Sequence, residues 1–209
     1  GVPENFGFLV HNLWYLRSMK PLLNKGTRGP EYPRDASETN DDDNVDLQYI
    51  TCMNIRGKSG QSGVIFDILL SQTEGIQPAL TEFHYIKEND RFGLGGNMQN
   101  YYLELMPDVK LSRTTVRSKL DESYELRTAT RITADLLQIK KYWITLPEGL
   151  WCDPKTLYED IKALGYDWNV LLNTRGYWTF NQYEHPIPFL STMDLLNMRA
   201  GTYKPYWLK

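Results

Sequence analysis

The chain has 209 residues, 41% of them apolar and 13% aromatic, with 26 acids against 23 bases for a formal charge of −3. That length fits one large domain with appended arms, and the mild acidity excludes a generic nucleic-acid binder, which carries a strong positive excess. No apolar run approaches the roughly 20 residues of a membrane-spanning helix, and the only two cysteines, Cys52 and Cys152, exclude a disulfide framework in favour of two reduced, buried thiols.

Phe6, Leu9, Val10, Leu13 and Leu16 recur at steps of three and four, which predicts an amphipathic helix over Asn5–Met19, stopped by Pro21. Trp14 and Tyr15 widen its apolar face and suit a partner as anchors. With its flanks this helix occupies residues 1–23, and an acidic Gly/Pro linker follows over 24–46. Between Arg34 and Asp46 that linker holds six acids against one base, a composition expected to be solvated.

An α+β domain is expected over 47–201. Leu47–Ile55 and Val64–Leu70 read as strands of a hairpin around a polar glycine-bearing turn. Leu80–Lys87 and Met98–Met106 read as further strands, the second ended by Pro107. Val109–Leu146 then reads as two β-segments meeting at Asp121-Glu122-Ser123, and it gathers eight of the 23 bases. Asp153-Pro154 is an N-cap followed by proline at the first helical position, and Gly165 is the stop. Ser191 and Asp194 stand at capping-box spacing and open a second helix, ended by Gly201. Residues 202–209 form an aromatic arm carrying Tyr203, Tyr206 and Trp207, which needs a surface to lie on. The expected whole is an antiparallel sheet or partly closed barrel of about six to eight strands, with an N-terminal and two C-terminal helices.

Chemistry is thinly signalled. Glu82 and His84 alternate onto one face of the expected strand, with Glu104 and Asp108 on its neighbour. Met106-Pro107-Asp108, followed by Glu125 and Arg127, resembles the pattern of the PD-(D/E)xK metal nucleases. In those enzymes two carboxylates hold Mg²⁺ or Mn²⁺, and a cation stabilises the attacking or leaving oxygen. Arg127 stands here where the pattern has lysine, and ordinary polar positions on a half-exposed sheet are the simpler expectation. Gly93–Gly96 precedes a β-rich stretch, so it is a hairpin turn rather than a phosphate cradle, which must open a helix. His11, His84 and His185 are too scattered to suggest a zinc site or a triad. The aromatics from Tyr142 to Tyr183 could stack on sugars or bases, but large core residues are the plainer reading.

One surface stands out. On the expected hairpin, Arg113, Arg117 and Lys119 line up beside Arg127 and Arg131, an outward basic row that suits an anionic ligand or nucleic acid. Against it stands a solvated strand face that blunts aggregation. Taken together, the sequence points to a non-enzymatic structural or accessory subunit of a larger protein assembly, intracellular and without a cofactor or metal. It would dock on other protein subunits through its apolar N- and C-terminal segments. A binding module built on the basic row is the alternative, and a metal-dependent nuclease stands behind both. The first residue, Gly1 rather than Met, implies a processed or excised chain.

Overall fold

The computed structural model describes residues 12–35, 38, 45–57, 62–97, 99–174 and 190–208. Among them are two antiparallel sheets, of four and three strands, and six helices. The fold is α+β, as the composition of elements implied, but both sheets are open and neither closes into a barrel. The chain divides into two compact units, residues 1–81 and 82–209.

The first unit is a sheet ordered β1-β2-β3-β4: Asn12–Pro21, Leu47–Gly57, Ile65–Ser71 and Gly75–Ile76. β2 and β3 form the expected hairpin, closed by Asn54 and Val64, whose N–H and C=O pair at 2.9 Å. Buried Gln48, Ile50 and Cys52 alternate along one face of β2.

The N-terminal helix is a correction. Residues 12–21 are a strand paired antiparallel with β2, while 1–11 lie outside the described residues. Two bulges interrupt the pairing, between Leu13 and Trp14 and between Leu16 and Ser18, and the second explains the misreading. It adds Arg17 to β1 and shifts the two-residue alternation there, so Leu16 and Met19 share a face at a helix-like step of three; the first places its extra residue, Ile55, on β2.

Part of the acidic tract is also built into this unit. Asp46 accepts hydrogen bonds from the Ser71 hydroxyl at 2.8 Å and the Thr73 hydroxyl at 3.1 Å, which pins the β3–β4 turn. Glu38 accepts from the backbone N–H of Arg34 at 2.7 Å and of Asp46 at 3.0 Å. These two acids hold backbone in place instead of being merely solvated. Asp41–Asp43 lie outside the described residues.

Helix α1, Pro78–Glu88, begins in the first unit and runs into the second. It replaces the strand expected over Leu80–Lys87. Leu80, Phe83 and Ile86 are the buried positions, and their step of three belongs to a helix. Pro78 sits at the first turn, where a missing N–H does no harm. Past the end of α1 the Asn89 side chain donates to Tyr85 O at 2.7 Å, and Asp90 and Arg91 take positive φ values of 55° and 56°.

The second unit continues with the sheet β5-β6-β7: Leu94–Asn97, Asn100–Leu103 and Met106–Leu111. Gly95 and Gly96 lie on β5, so the glycine run enters a hairpin strand and is not its turn. The single strand expected over Met98–Met106 is broken by a tight turn at Glu104-Leu105.

The expected basic hairpin is likewise replaced. After β7 come α2, Val116–Glu122, and α3, Tyr124–Tyr142, with Ser123 capping α3 by accepting from Leu126 N at 3.1 Å. The stretch looked strand-like because Thr128, Thr130 and Thr133 are β-branched. In the fold each of these buried hydroxyls donates to the carbonyl four residues back, on Tyr124, Leu126 and Ala129, at 2.8–3.1 Å. That bond satisfies the hydroxyl inside the helix itself.

The C-terminal helices follow their signals. In α4, Pro154–Ala163, Asp153 accepts from Thr156 N at 3.0 Å, and Gly165 turns the chain with φ 87°. A short α5, Trp168–Leu172, follows. In α6, Thr192–Arg199, the Ser191–Asp194 capping box is present. Helix α3 packs against α2, α5 and α6. Both cysteines are buried free thiols, as expected, and burial pushes Cys152 up to about 11.

Gly93 joins the loop after α1 to this helical layer. It has φ +67°, and an added Cβ would lie 2.6 Å from Thr133 Cγ2 and 2.9 Å from Pro154 Cγ. Gly93→Ala should therefore lower unfolding stability by about 2 kcal/mol or more, through backbone strain and overpacking together. Urea denaturation followed by circular dichroism measures it, and an unchanged midpoint would refute this packing.

Candidate functional site

The basic residues singled out by the sequence do not form a row. Arg117 is buried on the core side of α2. Lys119 Nζ donates to Lys110 O at 2.6 Å, and Arg127 lies 5.8 Å over the Tyr124 ring. Arg113 sits half-buried in the loop before α2. Arg131 is half-buried on α3, with its Nε buried and making no hydrogen bond among the described residues.

The sequence-predicted docking residues remain accessible. Trp14, Leu16 and Met19 are 61%, 65% and 66% exposed. Their β2 partners, Asn54, Cys52 and Ile50, alternate on one face, so the three side chains share that face. Trp14 meets Phe66 edge-on, with ring centroids 5.3 Å apart. Tyr15 is also exposed, and no strand pairs with the outer edge of β1 among the described residues. After α6, Tyr206 is 93% exposed while Tyr203 and Trp207 are half-buried. Among the described residues no group of three or more His, Cys, Asp or Glu side chains is placed to hold a metal, including Glu104, Asp108 and Glu125.

A second site was not anticipated. Reading 124–142 as a helix puts Arg131 and Asp135 four residues apart on one face, where they meet Glu82 from α1. Burial, and after it the nearby Asp135, push the Glu82 carboxyl up to about 7 against the opposing pull of Arg131. Asp135 is raised by burial as well, offset by a hydrogen bond from Thr192 Oγ1 at 2.7 Å and by Arg131. Two carboxyl groups thus feel the charge of one guanidinium in a poorly solvated place.

Asp135 also stands on the wall of a cavity of about 640 Å³. Its neighbours there along α3 are Gln138, Ile139 and Tyr142, following at the three-, four- and seven-residue steps of one helical face. Trp143 continues the wall, and Ser191 and Thr192 close it from the start of α6. Among the described lining residues Asp135 is the one charged side chain. The two lysines at the end of α3 are turned elsewhere. Lys140 Nζ lies 5.0 Å over the Trp151 ring, and Lys141 Nζ bonds to Asn89 Oδ1 and lies 5.4 Å over the Tyr85 ring.

The C-terminal aromatics divide accordingly. Trp151 and Trp168 donate their indole N–H groups to Leu136 O and Leu105 O at 2.9 and 2.6 Å, which is core behaviour, while Tyr142 and Trp143 are exposed at the cavity. Tyr177, Trp178, Tyr183 and His185 lie outside the described residues, as does His11.

The Glu82 carboxyl gives a pH signature. The folded state keeps its proton up to about 7, whereas an unfolded chain releases it near ~4.3. Stability therefore falls as pH rises through that window, and the loss is complete above it. Glu82→Gln should be more stable than the parent at pH 8, by on the order of 2 kcal/mol, with the difference vanishing near pH 4. Urea titrations at the two pH values decide it. No protein-family model matches the chain, and no curated protein or solved structure matches it at a significant level.

Proposed function

We propose that the protein is a non-enzymatic structural or accessory subunit of a larger protein assembly, and that β1 is its principal docking surface. The observation that carries this reading is the exposure of Trp14, Leu16 and Met19 together on one face of a strand whose outer edge has no partner strand among the described residues. Scattered single apolar residues are ordinary on a surface, whereas a contiguous stripe marks an interface. A free strand edge adds a row of backbone donors and acceptors to it.

The occupant is β1 of a second copy. An edge strand joined antiparallel to its own twin about a two-fold axis is self-complementary in hydrogen bonding. It also continues the apolar face across the seam. Lys20 and Pro21 at the end of β1, with the two bulges, limit the pairing to one short segment and discourage runaway addition. The exposed Tyr206 of the C-terminal arm supplies a further contact in the same assembly.

The isolated chain should then sediment as a dimer or larger species at micromolar concentration. A Leu16→Asp, Met19→Asp double variant should sediment as a monomer with an unchanged circular dichroism spectrum, since both side chains are exposed and fill no core. Two results would sink the reading: a parent chain that stays monomeric throughout this range, or a double variant that associates as strongly as the parent.

A further inference from the structure

The cavity on α3 and α6 has a chemistry of its own, independent of β1. Its walls set apolar and aromatic side chains, Ile139, Tyr142 and Trp143 on α3 and its end and Met193 on α6, among the polar Gln138, Ser191 and Thr192. Its size falls in the range of clefts that enclose small organic ligands, about 300–1,000 Å³. Among the described residues its one charged side chain is an acid, Asp135. Asp135 is oriented by Thr192 Oγ1 at 2.7 Å, so one carboxylate oxygen is already held and the group is fixed in place.

Among the described residues Arg131 is the one base whose charge acts on Asp135, and its Nε makes no hydrogen bond there. Lys140 and Lys141 are the next nearest bases in sequence, and their ammonium groups lie over Trp151 and Tyr85. Aromatic faces and a fixed carboxylate in one concave site favour a cation: the carboxylate by direct attraction, and the rings through their negative faces.

We infer that this cavity binds a small organic cation, an apolar body carrying an ammonium or guanidinium group, with the cationic head at Asp135 and the body against Tyr142 and Trp143. A neutral ligand of the same shape would gain the apolar contacts alone, and a carboxylate ligand would be repelled by Asp135.

The test is an NMR titration of the full chain with benzylamine, benzyl alcohol and benzoate, read at the Trp143 indole and the Met193 methyl. Benzylamine should give saturable shifts at both probes. Benzyl alcohol should bind about tenfold or more weakly, and benzoate more weakly still. Asp135→Asn keeps an acceptor for Thr192, and it should reduce benzylamine affinity about tenfold while leaving benzyl alcohol unchanged. Should that variant fail to fold, Trp143→Leu serves in its place, because the indole is half-exposed. It should weaken benzylamine about threefold or more, read at Met193. Equal binding of benzylamine and benzyl alcohol, no saturable response to benzylamine, or benzylamine affinity unmoved in the folded variant would each overturn the inference.

Discussion

Helix α3 can sit in the middle of the second unit because its buried polar side chains are satisfied from within. Ten of its nineteen residues are buried, and three of those are threonines. A buried hydroxyl without a partner costs about 1–3 kcal/mol, so three of them would make this position untenable. The bonds from Thr128, Thr130 and Thr133 to the preceding turn remove that cost without any outside group. Neighbouring helices then need to offer only apolar surface. Leu120 of α2, Leu171 and Leu172 of α5, and Leu195 and Leu196 of α6 provide it. Gly93 has no Cβ where Thr133 comes close, so the loop after α1 can lie against the same helix.

What could be read from the sequence depended on whether a signal was local. The caps of α4 and α6 were legible because Asp153-Pro154, Gly165, the Ser191–Asp194 box and Gly201 act within a few residues of themselves. The β2–β3 hairpin was legible because its alternation is unbroken. The failures share one cause: an apolar repeat disguised by something non-local. In β1, the bulge at Arg17 against β2 stretched a two-residue period into a step of three, so a strand passed for a helix. In α3, threonines with high β propensity masked the repeat Leu126, Ala129, Ile132, Leu136, so a helix passed for a strand. In α1 the aromatic content of Phe83 and Tyr85 outweighed the step of three. The candidate site suffered in turn, since the basic row existed only on the expected hairpin. Trp14 and Tyr15 kept their accessibility although the element bearing them changed, because exposure there comes from an edge position.

The same rearrangement changes the meaning of the charged residues between 113 and 135. As a strand face they would have added into one positive field. Wound into two helices they are sorted by depth: Arg127 at the surface, Arg117 in the core, and Arg131 half-buried between carboxyls. Near Asp135 the one base, Arg131, stands with the carboxyl groups of Glu82 and Asp135, so the positive excess that the linear charge count suggests is absent among these residues. Net charge along a segment is informative about partners only once the period of the backbone is known.

The bond from Asp46 N to the Glu38 carboxylate has a practical corollary. It brings the two ends of the most acidic tract to one spot, so the chain departs from and returns to nearly the same place beside β2. Closing a loop whose ends already meet grows more expensive only slowly with length, by about 0.6 kcal/mol per doubling. The clasp is set by residues 38 and 46 themselves, and the register of β2 against β3 does not depend on how much chain separates them.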